Sequence, residues 1–183
     1  LGFSGDYGHI ETFGNCDNLT LEIEKRNVTC MQEGHVKELV FLEGTESIKF
    51  IAWGSRYVPP FLCQTLTLPK SVRLISGKLE GVVETINFPD ECDYLEMSHK
   101  LFAELYKLKK VNLPKGLAYI PDSLFYNCTN VTEGHIPEDV SSIGAGAFMN
   151  CKSLTSVDLP NGVNSLGDNL FSGCGALESI KLS

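Results

Sequence analysis

FYNCTNV (residues 125–131), FMNCKSL (148–154) and FSGCGAL (171–177) are three copies of one string, each starting 23 residues after the last. Phe102, Phe125, Phe148 and Phe171 keep that interval, as do Cys128, Cys151 and Cys174. A second register runs beside it. Leu113-Pro114, Ile136-Pro137 and Leu159-Pro160 recur at the same 23-residue period, and Leu182 continues it without the proline. Self-similarity at a fixed period of this length marks a solenoid, in which each unit contacts its neighbours and cannot bury an apolar face alone. The stretch from Val111 to Ser183 therefore sets the architecture.

Within one coil, Val111 and Leu113 flank Asn112, so on a strand the two apolar groups face one side and the asparagine the other. Pro114 has no N–H to donate and ends the strand. Leu117, Ile120, Leu124 and Phe125 follow at spacings that predict a loose helical or 3₁₀ turn. Gly144 and Gly167 stand where the preceding coil has Pro121 and predict a tight bend. Phe102, Phe125, Phe148 and Phe171 are read as an internal ladder. Cys128, Cys151 and Cys174 form a second one, of free thiols acting as small hydrophobes, because stacked Cβ vectors point the same way and a disulfide needs them facing.

Toward the N-terminus the frame loosens. Val72, Ile75 and Leu79 repeat Val163, Leu166 and Leu170, but this coil is three residues short and has Glu80 at the phenylalanine position. The next coil carries two extra residues after Pro89, before Tyr94, Met97, Leu101 and Phe102 rejoin the frame. From Val36, strict alternation puts Val36, Val40 and Leu42 inward. Leu39 and Phe41, with Trp53 and Tyr57, then fall on the polar side under the cover of irregular loops. Phe13, Asn15, Cys16 and Leu19 spell a worn copy of the F-x-N-C-x-x-L string, and Leu19, Leu21 and Ile23 alternate as a strand does. One continuous solenoid is expected, with degenerate repeats or a cap over 1–64 and regular repeats over 65–183.

Composition narrows the function. A net charge of −8 argues against nucleic acid, whose phosphates demand a basic face. No apolar run is long enough to span a membrane. The seven cysteines lack zinc-site spacing, so no metal and no cofactor is expected. His9, His35, His99 and His135 are scattered, and HExxH, GxSxG and P-loop motifs are absent. His135 with Glu133 and Asp158 is the one plausible acid/base cluster, which leaves a hydrolase as a remote alternative. The sequons at Asn18, Asn27, Asn127 and Asn130 read as coincidence in asparagine-rich turns. The first residue is Leu1, which suggests a trimmed or mature piece.

The strings IGAGAFMNCKSLTSVDLPNGV (143–163) and LGDNLFSGCGALESIKL (166–182) resemble the BspA-like leucine-rich repeat of bacterial and protist surface proteins, closely over 94–183 and fairly over 65–93. The resemblance implies a β-rich α/β leucine-rich-repeat solenoid: a right-handed coil with a parallel sheet on its concave face and short helical, 3₁₀ or irregular convex segments. It also implies an extracellular or cell-surface location and a non-catalytic role in adhesion or recognition. Strands stacked in register would present two outward columns. One holds Thr67, Asn87, Asn112, His135, Asp158 and Lys181; the other holds Thr65, Thr85, Lys110, Glu133, Ser156 and Ser179. Eight strands at about 4.8 Å give a strip of roughly 35 Å, enough for a protein or glycan chain. The alternative is a structural spacer array within a larger surface protein. The last coil, around Leu170, Phe171 and Ile180, is expected to have an open apolar edge at which either the natural chain continues or two molecules associate.

Overall fold

The computed structural model describes residues 7–10, 15–24, 26–31, 35–51 and 62–182; Phe13, Trp53 and Tyr57 lie outside them. The strands among these residues fall into two files. The first file runs Asn15–Ile23, His35–Phe41, Leu62–Thr67, Thr85–Asn87, Lys110–Asn112, Glu133–His135, Ser156–Leu159 and Ser179–Leu182. The second runs Tyr7–Ile10, Asn27–Met31, Ser47–Ile51, Leu74–Gly77, Glu96–Met97, Tyr119–Ile120, Ser142–Ile143 and Ser165–Leu166. Each coil gives one strand to each file, and the paired strands are parallel. The molecule is a parallel β-solenoid.

Hydrogen-bonded pairing lapses once in each file, between Thr85–Asn87 and Lys110–Asn112 in the first and between Glu96–Met97 and Tyr119–Ile120 in the second. Both gaps adjoin the lengthened coil, where Asn87 and Asn112 stand 25 residues apart instead of 23. The extra residues find their own partners. Glu91 bridges to Lys115, the Cys92 N–H donates to Lys115 O at 2.8 Å, and the Lys115 N–H donates to Asp90 O at 3.0 Å.

The core lies between the files. Leu39, Leu66 and Ile86 line up from the first, Ile48, Ile75 and Met97 from the second, and all are buried. Strict alternation misplaces the start of the first file, because Leu39 and Phe41 are core residues while Val40 takes the outward register of Thr67. Val36 is buried too, near the start of the same strand, so the inward spacing is three residues and then two, as at Cys63, Leu66 and Leu68. Asn15 and Cys16, the described part of the F-x-N-C reading at 13–16, likewise lie within a strand, with Cys16 paired to Val36.

The helical or 3₁₀ segments expected outside the sheet are absent from the described residues. Stacked turns replace them. The N–H groups of Leu124, Tyr126 and Cys128 donate three residues back, to Pro121, Ser123 and Phe125. The intervening N–H groups of Ser123, Phe125 and Asn127 donate instead to Ala145, Ala147 and Met149 of the next coil, at 2.9, 2.8 and 2.8 Å. Such alternation needs left-handed residues. Lys100, Ser123, Gly146 and Asn169 have positive φ at one register, and Glu104, Asn127, Asn150 and Gly173 at another. A left-handed residue in every turn interrupts the helical run, and asparagine and glycine tolerate that conformation best. Gly144 and Gly167 serve close approach and not a bend: a Cβ on them would stand 2.3 Å from Asp122 Oδ1 and 2.2 Å from the Ala145 nitrogen, respectively.

Inside these turns the phenylalanines form a single file. Ring centroids are 5.8 Å apart for Phe102–Phe125, 5.5 Å for Phe125–Phe148 and 5.9 Å for Phe148–Phe171, all stacked. Glu80 leaves no ring beneath Phe102, and Phe88 meets that ring edge-on at 5.9 Å instead. Cys128, Cys151 and Cys174 are free thiols, and each donates to a phenylalanine carbonyl one coil back: Phe102 at 3.1 Å, Phe125 at 3.3 Å and Phe148 at 3.1 Å. Burial pushes the Cys63 and Cys128 thiols up to about 12, and it raises Cys151 as well.

Two outcomes follow from this packing. Phe148→Ala removes a ring from both stacks it joins and is expected to cost about 3–5 kcal/mol in denaturant melts; a loss under about 1 kcal/mol would contradict a continuous file. Iodoacetamide at about pH 8 should leave Cys63, Cys128 and Cys151 unmodified in the folded protein and label them once it is denatured. Peptide mass analysis reads both states.

Candidate recognition faces

Outward residues of the first file stand in register. Thr65 pairs with Thr85 and Thr67 with Asn87. Beyond the gap, Lys110, Glu133, Ser156 and Ser179 form one column, and Asn112, His135, Asp158 and Lys181 the other. The side chains from Thr85 onward are exposed; Thr65 and Thr67 are half-buried. The columns extend toward the N-terminus through Glu38 and Thr20 on one side and Val40 and Glu22 on the other.

Parallel strands stacked one coil apart bring like-facing residues within bonding reach, and several bond to each other. Lys110 Nζ meets Glu133 Oε2 at 2.9 Å. Asn87 Nδ2 donates to Thr67 Oγ1 at 3.1 Å, and Thr67 Oγ1 donates to Glu38 Oε1 at 3.3 Å. Lys109 pairs at 3.9 Å with Glu84 along the same stack. His135 lies in register with Asp158, and Glu133 is two residues back on its own strand, all three exposed. An acid/base pair working on a substrate needs enclosure, and this exposed strip supplies none to the trio.

The second file carries a feature that sequence reasoning missed. Its outward face holds a groove of about 470 Å³ lined by Leu74, Tyr94, Glu96, Gly116, Ala118 and Tyr119, among others. Tyr94 does not rejoin the core frame: it is 54% exposed, and Leu95 is buried in its place. The Tyr94 hydroxyl bonds to the Glu96 carboxylate, which holds its phenol above the ordinary range. Burial, helped by Asp122, also raises the Tyr119 phenol, whose hydroxyl lies 3.4 Å from Asp122 Oδ1. Asp122 Oδ1 in turn accepts the Ala145 N–H at 2.8 Å, and Asp139 accepts the Gly116 N–H at 2.8 Å. The available signal was the pair Tyr94-Leu95 itself, a choice of two apolar residues for one core position.

Among the described residues, no group of three or more histidine, cysteine or acidic side chains gathers as a metal site, and no helix is long and apolar enough to cross a membrane. Two files of short parallel strands with a repeated apolar interior define a leucine-rich-repeat solenoid. The chain belongs to the BspA-type leucine-rich-repeat family, whose pattern matches residues 80–183 in six copies. Among solved structures it is similar to a leucine-rich-repeat protein of T. pallidum, TpLRR, at 24% identity and a TM-score of 0.46, with 74% of this chain and 58% of that one covered. The chain thus spans little more than half the length of that relative. The pneumococcal vaccine antigen PcpA is similar at 15% identity and a TM-score of 0.46, over 100% of this chain and 67% of that one. A leucine-rich cell surface protein of Faecalibacterium prausnitzii is similar at 16% identity and a TM-score of 0.32, over 98% and 85%. Among curated proteins, none matches the sequence.

The inverted pair gives a direct check on the groove. Leu95→Ala should cost about 2–5 kcal/mol, as for a buried leucine, while Tyr94→Ala should leave the melting midpoint in place. The opposite order in thermal melts would return Tyr94 to the core.

Proposed function

We propose that this chain is a non-catalytic recognition module of a cell-surface protein, binding a protein or glycan along the outward face of the first file. The observation that carries the reading is the pair of in-register columns, from Thr65 and Thr67 to Ser179 and Lys181. Side chains held at the strand spacing along a rigid stack offer an extended ligand a preorganised row of donors and acceptors at low entropic cost. Family membership supports an extracellular setting and the concave placement of this face. The net charge of −8 sets nucleic acid aside.

A second reading has its own support. Lys110–Glu133, Asn87–Thr67 and Thr67–Glu38 already bond along the columns, so part of the face is satisfied by itself. A spacer in a longer surface protein would look the same, and its loss would shorten reach without abolishing recognition.

Joint replacement of Asn112, His135 and Asp158 by alanine decides between them. On arrays of immobilised matrix proteins and glycans, the recognition reading expects the bound partner to be lost by at least about tenfold, the scale of one or two interface contacts. Unaltered binding with an intact melt would leave the spacer.

A further inference from the structure

The groove on the second file breaks the repeat's own rule for its surface. In the register of Tyr119, four other coils carry Asn27, Ser47, Ser142 and Ser165, small and polar as a solvated face requires, while Glu96 and, on the first strand of the file, Tyr7 stand there too. Leu74 and Tyr119 are large instead, 40% and 46% exposed, and the displaced Tyr94 joins them. The floor between is Gly116 and Ala118, which leaves room beside the rings. A volume of about 470 Å³ falls within the range of small ligand sites.

Charge says what fits there. Of the cations near this edge, Arg73 and Lys70 are engaged at 3.4 Å by Asp93 and at 2.6 Å by Glu91, and Lys115, beside Gly116, acts on Glu91 as well. Glu96 lines the groove and accepts from the Tyr94 hydroxyl, Asp122 and Asp139 adjoin it through their bonds to Tyr119 and Gly116, and none of the three has an ion-pair partner among the described residues. Two tyrosine rings fixed at their hydroxyls by carboxylates present π-faces next to uncompensated negative charge. That combination attracts a cation with an apolar stem, and a planar guanidinium best, since it stacks on a ring while bonding a carboxylate.

We infer that the Tyr94–Tyr119 groove is a docking site for an extended polypeptide segment that places an arginine between apolar residues. The arginine lies along the rings and is held by Glu96 and Asp122, and the flanking apolar groups cover Leu74. This site sits on the other file from the proposed strip and does not depend on it.

The test uses the whole chain and two fluorescein-labelled peptides, Gly-Pro-Leu-Arg-Leu-Pro-Gly and its counterpart with glutamate for arginine, read by fluorescence polarisation. The arginine peptide is expected to bind at least about tenfold more tightly than the glutamate one, and to weaken as salt rises from about 0.05 to about 0.5 M. Tyr119→Ala should lower its affinity by about tenfold. Glu96→Gln, which keeps size and removes charge, should weaken it severalfold with the fold intact. The Asn112, His135 and Asp158 replacement should leave it unchanged. No binding of the arginine peptide at about 1 mM, equal binding of both peptides, indifference to Tyr119→Ala and Glu96→Gln, or a neutral oligosaccharide filling the groove in the peptide's place would each overturn the assignment.

Discussion

Everything in this molecule depends on one coil being the lid of the next. A single turn of chain has an apolar interior but nothing to close it, so its neighbours must lie at the parallel-strand spacing along the whole circuit. Two strand ladders hold that spacing on two sides. On the third, where no strand runs, the outer turns achieve it by sending alternate N–H groups to the following coil, as Ser123, Phe125 and Asn127 do. The phenyl rings stack at 5.5–5.9 Å because the backbone ladder carrying them fixes their separation.

The thiol ladder belongs to the same constraint. A carbonyl oxygen has two lone pairs, and those of Phe125 and Phe148 accept the Cys128 and Cys151 N–H of their own turns with room for a second donor. The cysteine of each coil donates to the phenylalanine carbonyl one coil back. Cysteine suits the place because it is small and apolar enough for the core yet carries a weak donor. Burial raises the thiols and keeps them protonated, so the donor persists at neutral pH. Structural cysteines of this kind are inert by construction.

Much of this was legible in the sequence because the repeat repeats its interior. The Phe125, Phe148 and Phe171 file and the strand registers of Lys110 with Glu133 and Asn112 with His135 follow from position alone. Other features were hidden by physics that a single coil does not display. Hydrophobic spacing suggested a helical turn at Leu117–Phe125, whereas hydrogen bonding to the next coil makes it a stacked turn. Asn127, Asn150 and Gly173 at one position were the clue, since those residue types share tolerance of positive φ and little else. Alternation misread Leu39 because the inward residues after Val36 come at a step of three before a step of two. The same apolar-x-x-apolar step recurs at Leu108–Val111 and Leu154–Val157, where the frame would have corrected it.

The inside of a solenoid is under shared constraint and the outside is not, so individuality collects where the period fails. The two residues added after Pro89 illustrate this. The first strand ladder lapses beside them, the added stretch pairs with Lys115, and a few residues on Leu95 is in the core while Tyr94 is out of it. An exposed tyrosine there needs no change in the neighbouring coils. Yet the neighbours are altered too: Leu74 and Tyr119, on the coils either side, stand where Asn27, Ser47, Ser142 and Ser165 stand on four other coils. A packing accident would explain the first tyrosine alone. Apolar groups gathered on three successive coils around one groove, with carboxylates anchoring both hydroxyls, form a surface that the interior did not require.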